Sequence, residues 1–153
     1  MWKLVFLISV FMVTDVMASD QQTELDKALS LVQANRSEEA LPALLNLASK
    51  GNTKAKLALG YYYLLEKNKA DLKWFKEAAK DGDPEAQLHY GLVLTEILDP
   101  RQCKEGHYWL EVSANQGNKQ AAMQLSSNYH AGGCNTEKNP ELSEYWLNKA
   151  HGK

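Results

Sequence analysis

Two pairs of metal-capable side chains share one spacing. Cys103 and His107 are four residues apart, and so are His130 and Cys134. On a helix that spacing places both members of a pair on one face, and two thiolates with two imidazoles make a tetrahedral zinc set. Gly132 and Gly133 interrupt the second pair and break the helix there, which weakens the metal reading, and no metal site is assigned. Oxidation of Cys103 with Cys134 is the competing chemistry, and two free thiols are the third reading. If the thiols are taken up by a disulfide, His107 and His130 become partly exposed helix residues, while His89 and His151 have no implied partner. Nothing assembles a nucleophile, a base and an orienting group. Gly132-Gly133 has no following lysine and serine to cradle a phosphate, and Ser113, Ser126 and Ser127 lack a nucleophile elbow. The residues imply neither an enzyme nor a cofactor.

The whole chain narrows the partners. Its 153 residues carry 17 basic and 19 acidic side chains, for a net charge of -2. Nucleic-acid binders show a basic surplus, so no nucleic-acid partner is expected. An apolar content of 44% is too high for a disordered chain, and the length suits one domain. The N-terminus reads as an address. Lys3 precedes an apolar run over residues 4–13 and a more polar stretch with Val16 and Ala18 at the -3 and -1 positions. This pattern predicts a signal peptide over 1–18, cleaved after Ala18, and a domain over 19–153. A membrane span needs roughly 20 apolar residues, about twice this run. With no cysteine available for lipid attachment, the expected product is soluble, periplasmic or secreted, and free of a membrane span after cleavage. That compartment permits a disulfide.

A repeat organises the rest. Trp74, Trp109 and Trp146 are spaced 35 and 37 residues apart. Four residues on stand Ala78, Ser113 and Ala150, and eight on stand Gly82 and Gly117. A second pattern starts at Ala55, Ala86 and Ala121: Leu59-Gly60 with Tyr63, Tyr90-Gly91 with Leu94, Leu125-Ser126 with Tyr129. Each of these last pairs is spaced i, i+4, on one helical face. Gly60, Gly91 and Ser126 leave room for a neighbouring helix. Gly51, Gly82 and Gly117 stop a helix, and Asp83-Pro84 and Asn139-Pro140 restart one. Repetition at this period predicts an all-α solenoid of about four antiparallel helix pairs, over 22–34 with 37–50, 53–66 with 69–81, 84–98 with 102–116 and 119–131 with 138–150.

These motifs resemble the Sel-one-like repeat family of tetratricopeptide-related proteins. Trp74-Phe75-Lys76-Glu77-Ala78-Ala79, then Gly82 and Ala86, match its pattern closely, and Trp146-Leu147 with Lys149-Ala150 match its beginning. The resemblance covers about residues 37 to 150. It implies a right-handed superhelix whose first helices line a concave, protein-binding face. On those helices Leu57, Tyr61, Leu64, Leu88, Leu92 and Met123 lie outside the framework positions. They form either a binding face or further core. The expected function is an exported, non-enzymatic adaptor or inhibitor acting on another protein of the cell envelope. The family also contains immunity proteins against toxic effectors and a cysteine-rich branch linked to penicillin binding, which stand as alternatives. The region around Trp146 is expected to be open to a partner or a second copy.

Overall fold

The computed structural model describes residues 19–66, 72–97, 102–132 and 136–153. The proposed signal segment and Cys134 lie outside them. Eight α-helices and no strand occur among the described residues. They are α1 over 19–33, α2 (Ser37–Ser49), α3 (Thr53–Tyr61), α4 (Lys73–Lys80), α5 (Pro84–Leu92), α6 (Cys103–Asn115), α7 (Lys119–Ala131) and α8 (Pro140–Ala150).

The repeat frame sets the helix ends. Gly51, Gly82 and Gly117 follow α2, α4 and α6 at φ 88, 94 and 93°, a left-handed conformation that only glycine adopts without strain. One residue later a side chain caps the next helix. Asn52 Oδ1 accepts from the Ala55 N–H at 3.0 Å, Asp83 Oδ1 from Ala86 at 2.9 Å, and Asn118 Oδ1 from Ala121 at 3.0 Å. Asn139 caps α8 in the same way through Leu142. The caps at Asp83 and Asn139 match the expectation. Those at Asn52 and Asn118 are the same device, three residues before the repeat alanine.

The α-helical form of α3 and α5 ends earlier than expected. Each continues as a five-residue π-helical turn, Tyr62–Glu66 and Val93–Ile97. The turns begin at one repeat register, two residues after Gly60 and Gly91. α7, with Ser126 at that register, stays α-helical to Ala131.

The chain divides into two compact units, Met1–Asn68 and Lys69–Lys153. In the first, α2 packs on α3. Its core comprises Leu25 and Ala28 of α1, Ala40, Leu44, Leu47 and Ala48 of α2, and Ala55 and Leu59 of α3. In the second, each helix from α4 to α8 packs on the next. Its centre joins Leu88, Leu110, Ala114, Ala121, Ala122, Leu125, Trp146 and Ala150.

Small residues let the helices of the second unit approach. A Cβ on Gly106 would lie 2.6 Å from Thr95 Cγ2 and 3.0 Å from the Gly91 carbonyl, and one on Gly91 would lie 2.9 Å from the Gly106 carbonyl. At the corresponding crossing of α7 and α8, Ser126 and Ser143 replace the two glycines. There the hydroxyls sit 3.1 Å apart, and Ser143 Oγ donates to the Ser126 carbonyl at 3.0 Å. The contact changes from backbone packing to a hydrogen bond. Ser113 has a similar explanation: in place of the repeat alanine, it donates to the Pro84 carbonyl at 2.5 Å.

Candidate protein-interaction surface

The six residues proposed for the binding face separate by burial. On α3 and its π-helical turn, Leu57, Tyr61 and Leu64 are half-buried. Leu88 is 2% exposed and belongs to the core of the second unit. It offers no surface, because α5 packs between α4 and α6 and Leu88 lies in one cluster with Leu110 and Ala114 of α6 and residues of α7 and α8. Leu92 is partly buried and packs against the same cluster. Met123, at the repeat position of Leu88, is 55% exposed. Trp146 corrects the other surface expectation: it is 6% exposed and closes the core rather than opening to a partner.

Among the described residues outside the expected face, three large hydrophobic side chains are the most exposed. Leu65 in the first π-helical turn is 73% exposed, and Tyr108 and Tyr145 are 57% and 53% exposed. Both tyrosines stand directly before a repeat tryptophan and meet it edge to face. The repeat register was the signal that would have found them, since both occupy the position directly before a repeat tryptophan. Lys149 Nζ lies over the Tyr145 and Trp146 rings at 5.7 and 5.2 Å and donates to Asn115 Oδ1.

The polar residues are built into helix packing. Tyr90 takes the core position that leucine fills in the flanking repeats. Its hydroxyl donates to Glu105 Oε1 at 3.1 Å, and Lys76 lies 3.5 Å from the same oxygen. Burial, with the Glu105 carboxylate beside it, pushes the Tyr90 hydroxyl far above its ordinary range. His107 is buried against α7 rather than partly exposed, and burial lowers its pKa. His89 is also lowered, mainly by burial, against the opposing pull of Glu85 and Asp83. His130 is exposed. Cys103 is 3% exposed at the start of α6. Among the described residues no three His, Cys, Asp or Glu side chains converge as a metal site, and no helix is long and apolar enough to cross a membrane.

No family model matches the chain. The Sel1 repeat protein of Oxalobacter formigenes superposes with a TM-score of 0.69 at 28% identity, over 85% of this chain and 56% of that one. A protective antigen of uropathogenic Escherichia coli strains, displaying an SLR fold, superposes with a TM-score of 0.71 over 91% of this chain. This chain has the fold of Sel1-like repeat proteins. The antigen is 20% identical and attests the fold alone; the present chain covers 32% of it. In sequence, the chain is 30% identical over 95 residues to the uncharacterized protein YibG of Escherichia coli K12, a match covering 58% of this chain and 62% of YibG. The chain thus spans less than two thirds of each of these proteins. Its architecture is that of a helical-repeat protein–protein interaction module.

Proposed function

We propose that this helical-repeat protein is an exported, non-enzymatic binder of one protein of the bacterial cell envelope, acting as an adaptor or inhibitor. The supporting observation is the distribution of apolar residues on the first helices of the pairs. Leu88 has been absorbed into core. Met123 at the same repeat position stays 55% exposed, and Tyr61 and Leu64 keep part of their surface. Large apolar and aromatic side chains left in water are the usual anchors of an interface. The mature chain is taken to begin at Ser19, after removal of residues 1–18.

The test is capture from envelope extracts with mature protein, compared with Tyr61→Ala and Met123→Ala variants. Wild type should enrich one protein saturably. Each variant should keep its helical circular dichroism and bind that protein at least about tenfold more weakly, the equivalent of about 1.4 kcal/mol. Full-strength capture by both variants would refute the surface. A toxic enzyme as the captured partner would make the protein an immunity factor, and an assembly protein would make it a scaffold.

Export also allows Cys103 to pair with Cys134, and the burial of Cys103, with no free cysteine among the described residues, supports that pairing. Protein purified from the envelope and denatured without reductant should take up no thiol-alkylating label. After reduction it should take up two labels, one for each of its two cysteines. Labelling before reduction would contradict the bridge.

A further inference from the structure

His107 and Asn128 meet in the interior between α6 and α7, each 8% exposed. Asn128 Nδ2 lies 3.1 Å from His107 Nε2. Asn128 Oδ1 is already engaged, accepting from Gln124 Nε2 at 3.1 Å. The group that Asn128 presents to the ring is therefore a donor, which requires Nε2 to be a bare acceptor and places the imidazole proton on Nδ1. The backbone carbonyl of Asn128 accepts from the Gly132 N–H at 2.9 Å and from Thr136 Oγ1 at 3.4 Å. One residue thus joins α6, the end of α7 and the segment that follows it. The Tyr129 ring meets the imidazole edge to face, with centroids 5.9 Å apart.

We propose that His107 and Asn128 form an acid-sensitive joint between α6 and α7, closed while the imidazole is neutral and loosened when Nε2 takes up a proton. Protonation sets one N–H against another at the buried contact. Turning the Asn128 amide to accept from the ring aims its own N–H toward Gln124 Nε2 and breaks that bond. Among the described residues no carboxylate offsets the new charge. On α6 itself, Cys103 lies one turn before the ring, Lys104 is exposed, and Glu111 lies one turn after and acts on Tyr129. From α7 come Asn128, Tyr129 and the exposed His130. From α5 and its π-helical turn, Leu94 and Thr95 pack at Gly106, and both are uncharged. Among the described residues burial is the whole cause of the depressed pKa of His107, and no carboxylate acts on it.

The sign follows from linkage. A histidine whose folded pKa lies below its unfolded value of about 6.5 binds protons more readily when unfolded. The joint's contribution to stability is complete above that value and is lost as pH falls through the folded pKa. Nitrogen-15 NMR of the histidine side chains, recorded through an acid titration, tests this directly. The neutral His107 ring should carry its proton on Nδ1, and His107 should titrate below the ordinary histidine value. Urea unfolding at about pH 7.5 and about pH 5 supplies the second reading. Wild type should lose midpoint on acidification, and His107→Gln should lose less. Asn128→Asp supplies a carboxylate that accepts from the imidazolium, so in that variant His107 should titrate above the ordinary value. An Nε2–H tautomer, titration of wild-type His107 at or above the ordinary value, or equal acid loss in wild type and His107→Gln would overturn the joint. The NMR readings need only wild-type protein, so a variant that fails to fold does not remove the test.

Discussion

Replacing Trp146 with alanine should lower the unfolding free energy by about 3–5 kcal/mol. Trp146 is 6% exposed and closes a cluster with residues from α5, α6, α7 and α8, including Leu88, Leu110 and Leu125. Truncation removes the transfer free energy of a large ring and leaves a cavity between helices that are pinned elsewhere. Ser143 remains hydrogen-bonded to Ser126, and Lys149 to Asn115, so α8 cannot simply collapse into the space. A domain of this size is stable by about 5–15 kcal/mol, so the loss is a large fraction of the total. Equilibrium urea denaturation measures it, and a midpoint equal to wild type would mean that α8 does not dock through Trp146.

The second large effect is a contrast within one repeat position. Phe75, Leu110 and Leu147 each follow a repeat tryptophan. Phe75 and Leu110 are 0% exposed, and Leu147 is 42% exposed. Leu110→Ala should therefore cost about 2–5 kcal/mol, while the chemically identical Leu147→Ala should cost less than about 1 kcal/mol. Leu110 also lies against Gly91, where a Cβ would meet Leu110 Cγ at 2.8 Å, so truncation opens space where Gly91 meets Gly106. Leu110 and Trp146 share one cluster, and the double variant should lose less than the sum of the two single losses. Equal losses for Leu110→Ala and Leu147→Ala, again by urea denaturation, would contradict the burial pattern.

What the sequence revealed and what it concealed divide along physical lines. Helix ends depend on local chemistry. Gly82 and Asp83 stop one helix and start the next whatever surrounds them, so these boundaries were legible to within a few residues. The repeat tryptophans likewise marked helices correctly because their spacing needs no knowledge of neighbours. Burial was less legible, because it depends on which other helix covers a position. Leu88 and Met123 occupy equivalent places and differ from 2% to 55% exposure, since the first belongs to the cluster shared by α5 to α8 and the second does not. His107 looked like an exposed helix residue because its partner, Asn128, is 21 residues away and neutral. Ser113 looked like a tolerated departure from alanine. Its reason is a carbonyl 29 residues earlier, which no local pattern displays. Of the candidate surface, Met123, Tyr61 and Leu64 keep exposure, Leu88 does not, and Leu65, Tyr108 and Tyr145 join the exposed set.

In the proposed function, this helical-repeat protein holds one protein against the first helices of its pairs. Site-specific photocrosslinking in the native envelope tests it most directly. A photoreactive phenylalanine at Tyr61 or Met123 should yield an adduct with one and the same protein. The same probe at Lys104, exposed on α6, should yield none. Adducts of equal strength from Lys104, or none from Tyr61 and Met123 in correctly folded protein, would contradict it.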